Sequence, residues 1–263
     1  MEVLSSKEPL EKLLHLTSRA PLKPQQRFWT LRTKIIPKIN YPLTLGDARQ
    51  GYLKSVHTKI RKAVRSWLRL PQDCPNAYIH ASVPGGGLGI PSIKWQAMTE
   101  RRSRLEHLRS SNYLTGGTVK LYLDNSISAT ENKLRDNNNN VLKNKDMVDH
   151  YCSKQLYSRV DGVALKNSGK VKGQHEWVRD GTRFLSGSDF TQCVRDRVNA
   201  LPTKSRTGRG RADERLCRAG CGHTETLNHI SQVLHRTHVT KIRRHDAIVK
   251  YVAKELQNAG HNV

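Results

Sequence analysis

The sequence has few acidic residues, few aromatic residues and no long apolar segment. Among its 263 residues, aspartate and glutamate together number 22, and aromatic side chains make up 6%. No apolar run approaches the ~20 residues that a membrane-spanning helix requires. The first twenty residues, MEVLSSKEPLEKLLHLTSRA, place charges where a secretory signal peptide needs an apolar centre. We therefore expect an intracellular protein that has no membrane partner.

Clustered carboxylates are also missing from the sequence. Two-metal phosphoryl transfer needs several carboxylates close together to hold its cations. The acidic residues here are scattered, and the sequence contains neither an Asp-Asp nor a Pro-Asp dipeptide. The sequence therefore predicts no catalytic residue, and no polymerase or nuclease activity from this chain alone.

Cysteine is scarce as well. The five cysteines are Cys74, Cys152, Cys193, Cys217 and Cys221. In a reducing compartment, cysteines at such spacings act as thiols or metal ligands and do not form a disulfide framework. Only the last two lie close together in the sequence.

Lysine and arginine, in contrast, are abundant, and their 46 residues give the chain a net charge of +24. Compacting so many like charges costs free energy through self-repulsion, and a polyanion removes that cost. Double-stranded nucleic acid carries about one negative charge per 1.7 Å of axis and releases counterions when cations bind it. Because the excess spans the chain, we expect a nucleic-acid partner; the alternative is a merely soluble basic protein.

Apolar periodicity and turn-forming residues predict a mainly α-helical fold with few or no strands. We expect residues 1–110 to form a compact helical bundle. Residues 111–175, which include the run Asn137–Asn140, are expected to be a partly flexible linker with a short helix near Asp146–Leu156.

The last third of the chain is expected to hold two further parts. Residues 176–215 should form a helix followed by a basic segment, and residues 216–263 a small cysteine–histidine unit followed by a helix from about Thr237 to Gln257. The apolar residues that we expect this last helix to bury are Val239, Ile242, Val249, Val252, Ala253 and Leu256.

The clearest predicted helix runs from about Asp47 to Leu70. Its apolar residues recur at steps of three and four and form one stripe. The rest of its surface carries cations, namely Lys54, Lys59, Arg61, Lys62, Arg65 and Arg69. Since like charges at i,i+4 destabilise a helix, we interpret this surface as a phosphate-binding face; the alternative is a solvated face.

A second set of basic residues follows the linker. The segment TKSRTGRGRADER contains glycines, which let a backbone approach a partner closely, and arginines, whose forked donors suit phosphate. A solvated loop or a nuclear import signal is the alternative. The residues assigned to nucleic-acid contact within residues 176–215 and in the last helix are Arg197, Lys204, Arg206, Arg209, Arg211, Arg243 and Arg244.

The segment CRAGCGHTETLNHISQVLHRTH has the composition of a structural zinc site. Cys217, Cys221, His229 and His235 supply four donors, and an H-x5-H spacing lies within the range of zinc fingers. A weak or empty site and a set of unrelated thiols and histidines remain open as alternatives. A zinc ion held by four protein ligands would stabilise the loop and would not activate water.

Six segments, taken together, resemble a known family. RAPLKPQQRFWTLRTKIIP, WLRLPQDCPNAYIHA and GGLGIPSIKW are similar to the reverse-transcriptase thumb of type-1 (non-LTR) retrotransposable elements that insert into ribosomal RNA genes, the R-two clade. DGTRFLSGSDF, RVNALPTKSRTGRGR and CRAGC…ETLNHI…RTH…RRHDAIV are similar to the linker and zinc knuckle downstream of that thumb. The segments follow the family's order and leave out only about residues 111–175.

The resemblance implies a C-terminal fragment of a larger Pol polyprotein, an RNA-directed DNA polymerase with an endonuclease. In that family the thumb-like bundle holds the primer–template duplex, and the knuckle region helps to position target DNA and element RNA. The implied partners are RNA, DNA and the remainder of the polyprotein, and the implied location is the nucleus. On this basis we expect a nucleic-acid-binding fragment without catalysis.

Two positions depart from the family pattern. Arg197 stands where the family's motif begins with histidine, and Leu234 stands where the family's zinc knuckle has its fourth ligand, a cysteine. The knuckle is therefore a degenerate member of the CCHC type. An accessory subunit of reverse transcription or target nicking, and a functionless product of a decayed element, are the alternative functions.

Overall fold

A computed structural model describes residues 7–111, 117–171, 173–179, 185–208, 211 and 213–261. These residues are mostly helical, and their only β-pairings are two isolated bridges, Arg135 with Val141 and Leu216 with Thr224. The mainly α-helical fold expected from the sequence is confirmed. None of the described helices is long and apolar enough to cross a lipid bilayer. The chain separates by its internal contacts into unit 1, residues 1–200, and unit 2, residues 201–263.

The described part of unit 1 is a bundle of α-helices that also contains π-helical and 3-10 segments. A π-helical turn, Leu31–Ile35, joins the second helix to the third, and a 3-10 segment, Val163–Lys170, follows the eighth. The α-helices are α1 (Lys7–Arg19), α2 (Pro24–Thr30), α3 (Ile36–Leu45), α4 (Gln50–Leu68), α5 (Asn76–His80), α6 (Ile93–Ser110), α7 (Gly117–Lys133), α8 (Lys145–Tyr157) and α9 (Gly187–Arg197).

Helix α4 lies at the centre of this bundle and contacts α1, α2 and α6. Its predicted apolar stripe is buried, from Leu53 and Val56 through Ile60 and Val64 to Trp67. The helix ends at Arg69, which adopts a left-handed conformation with φ of 50°. Burial of the stripe fixes the rotation of α4 about its axis and leaves its cations on the opposite surface.

Residues 117–171 differ from the expected flexible linker because they supply part of the same core. Leu134, Leu142, Cys152, Leu156 and Leu165 are all buried in the cluster that contains the α4 stripe. Helix α8 coincides with the predicted short helix near Asp146–Leu156. Polar composition had suggested a linker, but a few apolar residues spaced along polar helices are enough to anchor them.

The asparagine run is an ordered turn. The Asp136 side chain accepts hydrogen bonds from the backbone N–H groups of Asn138 and Asn140, both at 2.8 Å. Asn139 takes a positive φ of 65°, which asparagine tolerates better than most residues. This turn reverses the chain between α7 and α8, so the asparagines serve turn geometry.

Unit 2 consists of short turns and one long helix. Its elements are α10 (Lys204–Thr207), a 3-10 turn (Asp213–Arg215), a π-helical turn (His229–Val233), a second 3-10 turn (His235–Thr237) and α11 (His238–Asn258).

Helix α11 lies where the sequence predicts it, but its expected burial is not found. Val239, Ile242, Val249, Val252 and Leu256 are exposed, and Ala253 is half-buried. The physical reason is that the other described elements of unit 2 are single turns, which are too short to cover a helix of 21 residues.

We predict that Leu156→Ala lowers the free energy of unfolding of unit 1 by about 2–5 kcal/mol, because it leaves a cavity in a shared core. Leu156 is 0% exposed, whereas Val160, four residues later, is 88% exposed. Chemical denaturation of both variants measures the difference, and Val160→Ala should leave stability nearly unchanged. Equal, small effects at both positions would mean that residues 117–171 are a linker after all.

Candidate nucleic-acid interface and metal centre

The basic surface of α4 forms the floor of a long depression in unit 1. Two adjoining hollows, of about 630 and 570 Å³, share Arg61, Gln72 and Asn76 in their walls. We call them together the α4 trough. The lysines and arginines that line it are Lys54, Arg61, Lys62, Arg65, Arg69, Lys94 and Arg159. The carboxylate in these walls, among the described residues, is Asp73.

The cations of the trough lack carboxylate partners within salt-bridge distance in the part of the chain that the structure describes. Arg65 donates instead to the carbonyl of Cys74 at 2.7 Å and to the side chain of Asn76 at 2.9 Å. These bonds hold the segment after α4 in place as one wall of the trough. The positive charges therefore stand close together, and Asp73 is the one carboxylate that the described walls contain.

This crowding perturbs the titration of the cations. Burial first, and then the charge of Arg65, lower the pKa of Arg61. Burial first, and then the charge of Lys54, lower the pKa of Lys94. Both shifts have the sign that like-charge repulsion and desolvation produce, and an anion in the trough would relieve the repulsion.

Aromatic rings line the same trough. The ammonium of Lys94 lies 3.7 Å from the ring centroid of Trp95, and Trp95 meets Tyr151 edge to face at 6.2 Å. The rings of His57 and His80 stack at 4.4 Å. Burial, assisted by neighbouring cations, lowers the pKa of His57 to about 2 and that of His80 to about 4. The histidines are therefore neutral at physiological pH, and lysine and arginine alone supply the charge.

One of the six predicted α4 cations lies outside the trough walls. Lys59 pairs with Glu11 of α1 and does not line the trough. Sequence reasoning also missed Lys94 and Arg159, which the fold brings in from α6 and from the end of α8. A lysine next to a tryptophan, Lys94 and Trp95, is a pattern that could have indicated nucleic-acid contact. No pattern in the sequence around Arg159 indicates that it lies near α4.

The arginines of α6 bind groups of the protein itself. Arg102 pairs with Glu131 at 2.8 Å and with Glu106 at 2.5 Å. Arg101 donates to the carbonyls of Leu45 and Gly46. A basic helix can thus be a structural element. In α4, the ion pair found among the described residues is that of Lys59 with Glu11, which lies outside the trough walls.

Arg197, at the end of α9, also lies outside the trough walls. Its guanidinium is 2.6 Å from Nδ1 of His175 and sits over the ring of Trp177 at 5.6 Å. Burial lowers its pKa. These contacts give Arg197 a packing role in unit 1, and its assignment to nucleic-acid contact stays a prediction.

The other predicted contacts belong to unit 2. Lys204 and Arg206 lie half-buried on α10, and Arg211 is exposed and pairs with Glu214 at 2.6 Å. Arg243 and Arg244 are exposed on α11. Arg209 lies outside the described residues.

A cysteine–histidine cluster occupies the middle of unit 2. One ligand atom each of Cys217, Cys221 and His229 lies within 4.8 Å of the other two, and Cys221 Sγ is 3.2 Å from His229 Nε2. The backbone N–H of His223 is the main cause that lowers the pKa of Cys221, to about 6. Two soft sulfur donors and one imidazole, with a thiol that ionises readily, are a donor set that zinc accepts.

The loop that carries this cluster is a tight reversal. Leu216 pairs with Thr224, and the backbone N–H of Cys217 donates to the carbonyl of His223 at 2.8 Å. Gly220 and Gly222 take positive φ values of 73° and 76°, which glycine adopts without strain. The N–H of Ala219 points at Cys217 Sγ at 3.4 Å. The C-x3-C spacing therefore folds so that both sulfurs face His229.

The predicted fourth ligand, His235, is not part of the three-residue cluster. Its side chain is exposed, and its ring stacks on that of His238 at 6.2 Å. Leu234, at the position of the family's cysteine, is half-buried and offers no donor atom. The reason lies in the chain path, because Leu234 ends the π-helical turn and the next turn carries His235 away.

Glu225 holds the cluster loop against the basic segment, a role that the sequence analysis did not assign. It is 3% exposed. Its carboxylate accepts hydrogen bonds from the backbone N–H groups of Lys204 at 2.8 Å and Arg218 at 2.9 Å. Burial alone would raise the pKa of Glu225, but these hydrogen bonds and the charges of Arg218 and Lys204 lower it below its usual 4.5. No local sequence pattern marks Glu225 for this role, because its partner Lys204 lies 21 residues earlier in the chain.

We predict that Glu225→Gln loosens the backbone around Lys204 and Arg218 at neutral pH. Since the folded-state pKa lies below the unfolded value, the carboxylate stabilises unit 2 above the unfolded pKa and loses this effect as the pH falls through the folded pKa. Hydrogen-exchange protection of residues 203–206 and 217–219 should therefore fall in the variant at pH 7, and the gap should close in acid.

Glu214→Gln is the matched control, because Glu214 is exposed and pairs only with Arg211 among the described residues. It should leave the protection of both segments unchanged. Equal protection in Glu225→Gln and the wild type at pH 7 would contradict the role of Glu225.

Comparison with known proteins shows which polyproteins the chain resembles. No protein-family model matches it. Over 250 residues, 95% of this chain, it is 40% identical to the retrovirus-related Pol polyprotein of the type-2 retrotransposable element R2DM of Drosophila melanogaster, and it covers 24% of that protein. It is 36% identical to a type-1 R2 Pol polyprotein of Nasonia vitripennis over 94% of this chain and 23% of the relative.

A third relative is the type-1 R2 Pol polyprotein of Popillia japonica, which is 32% identical over 95% of this chain and 55% of the relative. The chain thus spans about a quarter of the length of the first two relatives and about half of the third. These matches confirm the resemblance drawn from the six sequence segments. Over about 95% of its length, the chain is similar to a part of R2 retrotransposable element Pol polyproteins.

Proposed function

We propose that this part of an R2 Pol polyprotein grips nucleic acid, both primer–template and target, and that unit 1 does so through the α4 trough. The observation that carries the proposal is the set of seven lysines and arginines in the trough walls, which have no carboxylate partner within salt-bridge distance among the described residues. A protein keeps such a set only at a cost in self-repulsion, and a phosphate backbone offsets that cost.

The shape of the trough suits an extended ligand. Its two hollows adjoin along α4, so cations recur over the length of a helix of 19 residues, and one phosphate cannot neutralise them all. A sugar–phosphate strand can, because its charges repeat along its length. Trp95 and Tyr151 supply apolar surface at one end, where a sugar or a base can pack.

Contacts of this kind position nucleic acid and do not read its sequence. We therefore propose that the trough binds RNA and DNA by their backbones, and that sequence selection resides elsewhere in the polyprotein. We also propose a nuclear location, which the resemblance and the basic segments favour. Exclusion of a fluorescently labelled chain from the nucleus would contradict that part of the proposal.

Unit 2 contributes a structural metal site in this proposal. Cys217, Cys221 and His229 would hold a zinc ion, which supplies a rigid cross-link and no reactive water. The loop buries few apolar side chains of its own, so metal binding would supply folding free energy. Through Glu225, the ordered loop would fix the start of the basic segment at Lys204.

We propose further that the chain supplies binding and no chemistry. The acidic residues are scattered in the sequence, and two-metal phosphoryl transfer depends on clustered carboxylates. Polymerase and endonuclease activity would then belong to other parts of the polyprotein. Nucleotide incorporation on a primed RNA template by the purified chain alone would contradict this.

We predict that Lys54→Ala with Lys62→Ala weakens binding to an RNA·DNA hybrid and to duplex DNA alike. Both lysines are exposed, line the trough and lie on α4, where alanine preserves the helix. If each lysine neutralises one phosphate, the slope of log K against log salt flattens by about 1.8. Fluorescence anisotropy with labelled duplexes between low and moderate salt measures the slope.

The matched control is Lys12→Ala with Lys38→Ala. These lysines are also exposed and helical, they lie on α1 and α3, and they are outside the trough walls. The control removes the same amount of charge, but from outside the trough. It should therefore leave the slope of log K against log salt unchanged. Equal losses in the two double variants would show that net charge, and not the trough, drives binding.

For unit 2, we predict that the purified chain binds one zinc ion and that Cys217→Ala abolishes binding. Cys193→Ala is the control, because Cys193 is exposed and lies in α9, outside the cluster. A colorimetric chelator assay with elemental analysis gives the stoichiometry. Zinc retained by Cys217→Ala, or lost equally in Cys193→Ala, would contradict the assignment.

A further inference from the structure

The three-residue cluster leaves one position of a tetrahedral zinc site to be filled. Structural zinc sites are almost always closed by four protein ligands. Leu234 has no donor atom, and His235 is exposed and stacked on His238. Another donor side chain, that of His223, lies beside the cluster and contacts the His229 ring.

His223 is placed by the glycine turn directly after Cys221. Its ring faces that of His229 with centroids 5.6 Å apart and planes inclined by 21°. Its Nδ1 is 3.0 Å from the carbonyl oxygen of Cys221. Gly222, with φ of 76°, reverses the chain between the two residues and brings the imidazole back toward the sulfur.

This separation of the rings fits two ligands of one metal. Two imidazoles bound to a tetrahedral zinc at Zn–N distances of ~2.0–2.1 Å hold their ring centroids about 5.2 Å apart. The hydrogen bond from Nδ1–H to the Cys221 carbonyl leaves Nε2 as the free donor atom. Zinc-bound histidines usually make such a bond through their other nitrogen.

A local shift completes the site. No nitrogen of His223 lies within 4.8 Å of all three cluster atoms, so the ring must move toward them when metal binds. The side chain is exposed, and nothing packed against it opposes that movement on its solvent side. His235, in contrast, would have to leave His238 and bring its own turn of the chain across.

We propose that His223 is the fourth zinc ligand of this chain, which gives a Cys2His2 site of Cys217, Cys221, His223 and His229. The inference rests on the zinc site proposed above. It means that the site stays closed although Leu234 occupies the position of the family's fourth ligand. The knuckle of this chain then binds zinc through a different fourth ligand and has not lost its metal.

The test uses the full chain loaded with cobalt(II), whose visible absorption reports ligand number and type, and zinc competition, which reports affinity. His223→Ala should weaken zinc binding about 100-fold or more and should reduce the intensity of the tetrahedral cobalt bands. His235→Ala, the matched control, should change neither. Loss of affinity in His235→Ala with none in His223→Ala would overturn the proposal, as would unchanged affinity in both.

A rescue variant separates ligand loss from misfolding. Leu234→Cys in the His223→Ala background should restore tight binding and add a third thiolate to the cobalt charge-transfer bands. An unaltered chain that binds no zinc would overturn both this inference and the proposed zinc site. Zinc bound normally without His223 would overturn this inference alone, and duplex binding by unit 1 is measured independently of both.

Discussion

Burial of the apolar stripe of α4 is the constraint on which the rest of unit 1 depends. Leu53, Val56, Ile60 and Val64 face the core, so the cations that share this helix cannot face it. The cations of α4 therefore lie on one surface of the helix, and the fold brings Lys94 and Arg159 to the same surface. Hydrophobic burial thus assembles a cluster of like charges whose members repel one another. Burial and the charge of a neighbouring cation lower the pKa values of Arg61 and Lys94, as such repulsion requires.

A basic helix is available to bind an anion only where its cations are not already paired with carboxylates and carbonyls of the protein. Helix α6 carries four arginines and α4 two, but Arg101 and Arg102 of α6 bind carbonyls and carboxylates of unit 1. The trough has Asp73 in its walls and otherwise neutral or cationic side chains among the described residues. A net charge of +24 alone could not separate these cases, since it counts both kinds of residue equally.

The sequence predicted most of the fold and part of the site, for physical reasons that differ by element. The 3.6-residue period of α4 was readable because one face is buried and the other is charged. Residues 117–171 were misjudged because their polar composition outweighed a few core residues such as Leu156. Pairing of Lys59 with Glu11, and the meeting of Arg159 with α4, depend on tertiary contacts that no local pattern encodes. The cysteine spacing predicted three ligands that the structure brings together, whereas His235 depended on a chain path that the π-helical turn diverts.

The most direct test of the central claim is a lysine-acetylation footprint, read by mass spectrometry, of the chain with and without a saturating RNA·DNA hybrid. If the trough binds the hybrid, Lys54 and Lys62 should be strongly protected. Lys12 and Lys38, which are also exposed but lie outside the trough, should keep their reactivity. Protection of all four lysines to the same extent, or of Lys12 and Lys38 alone, would contradict the account.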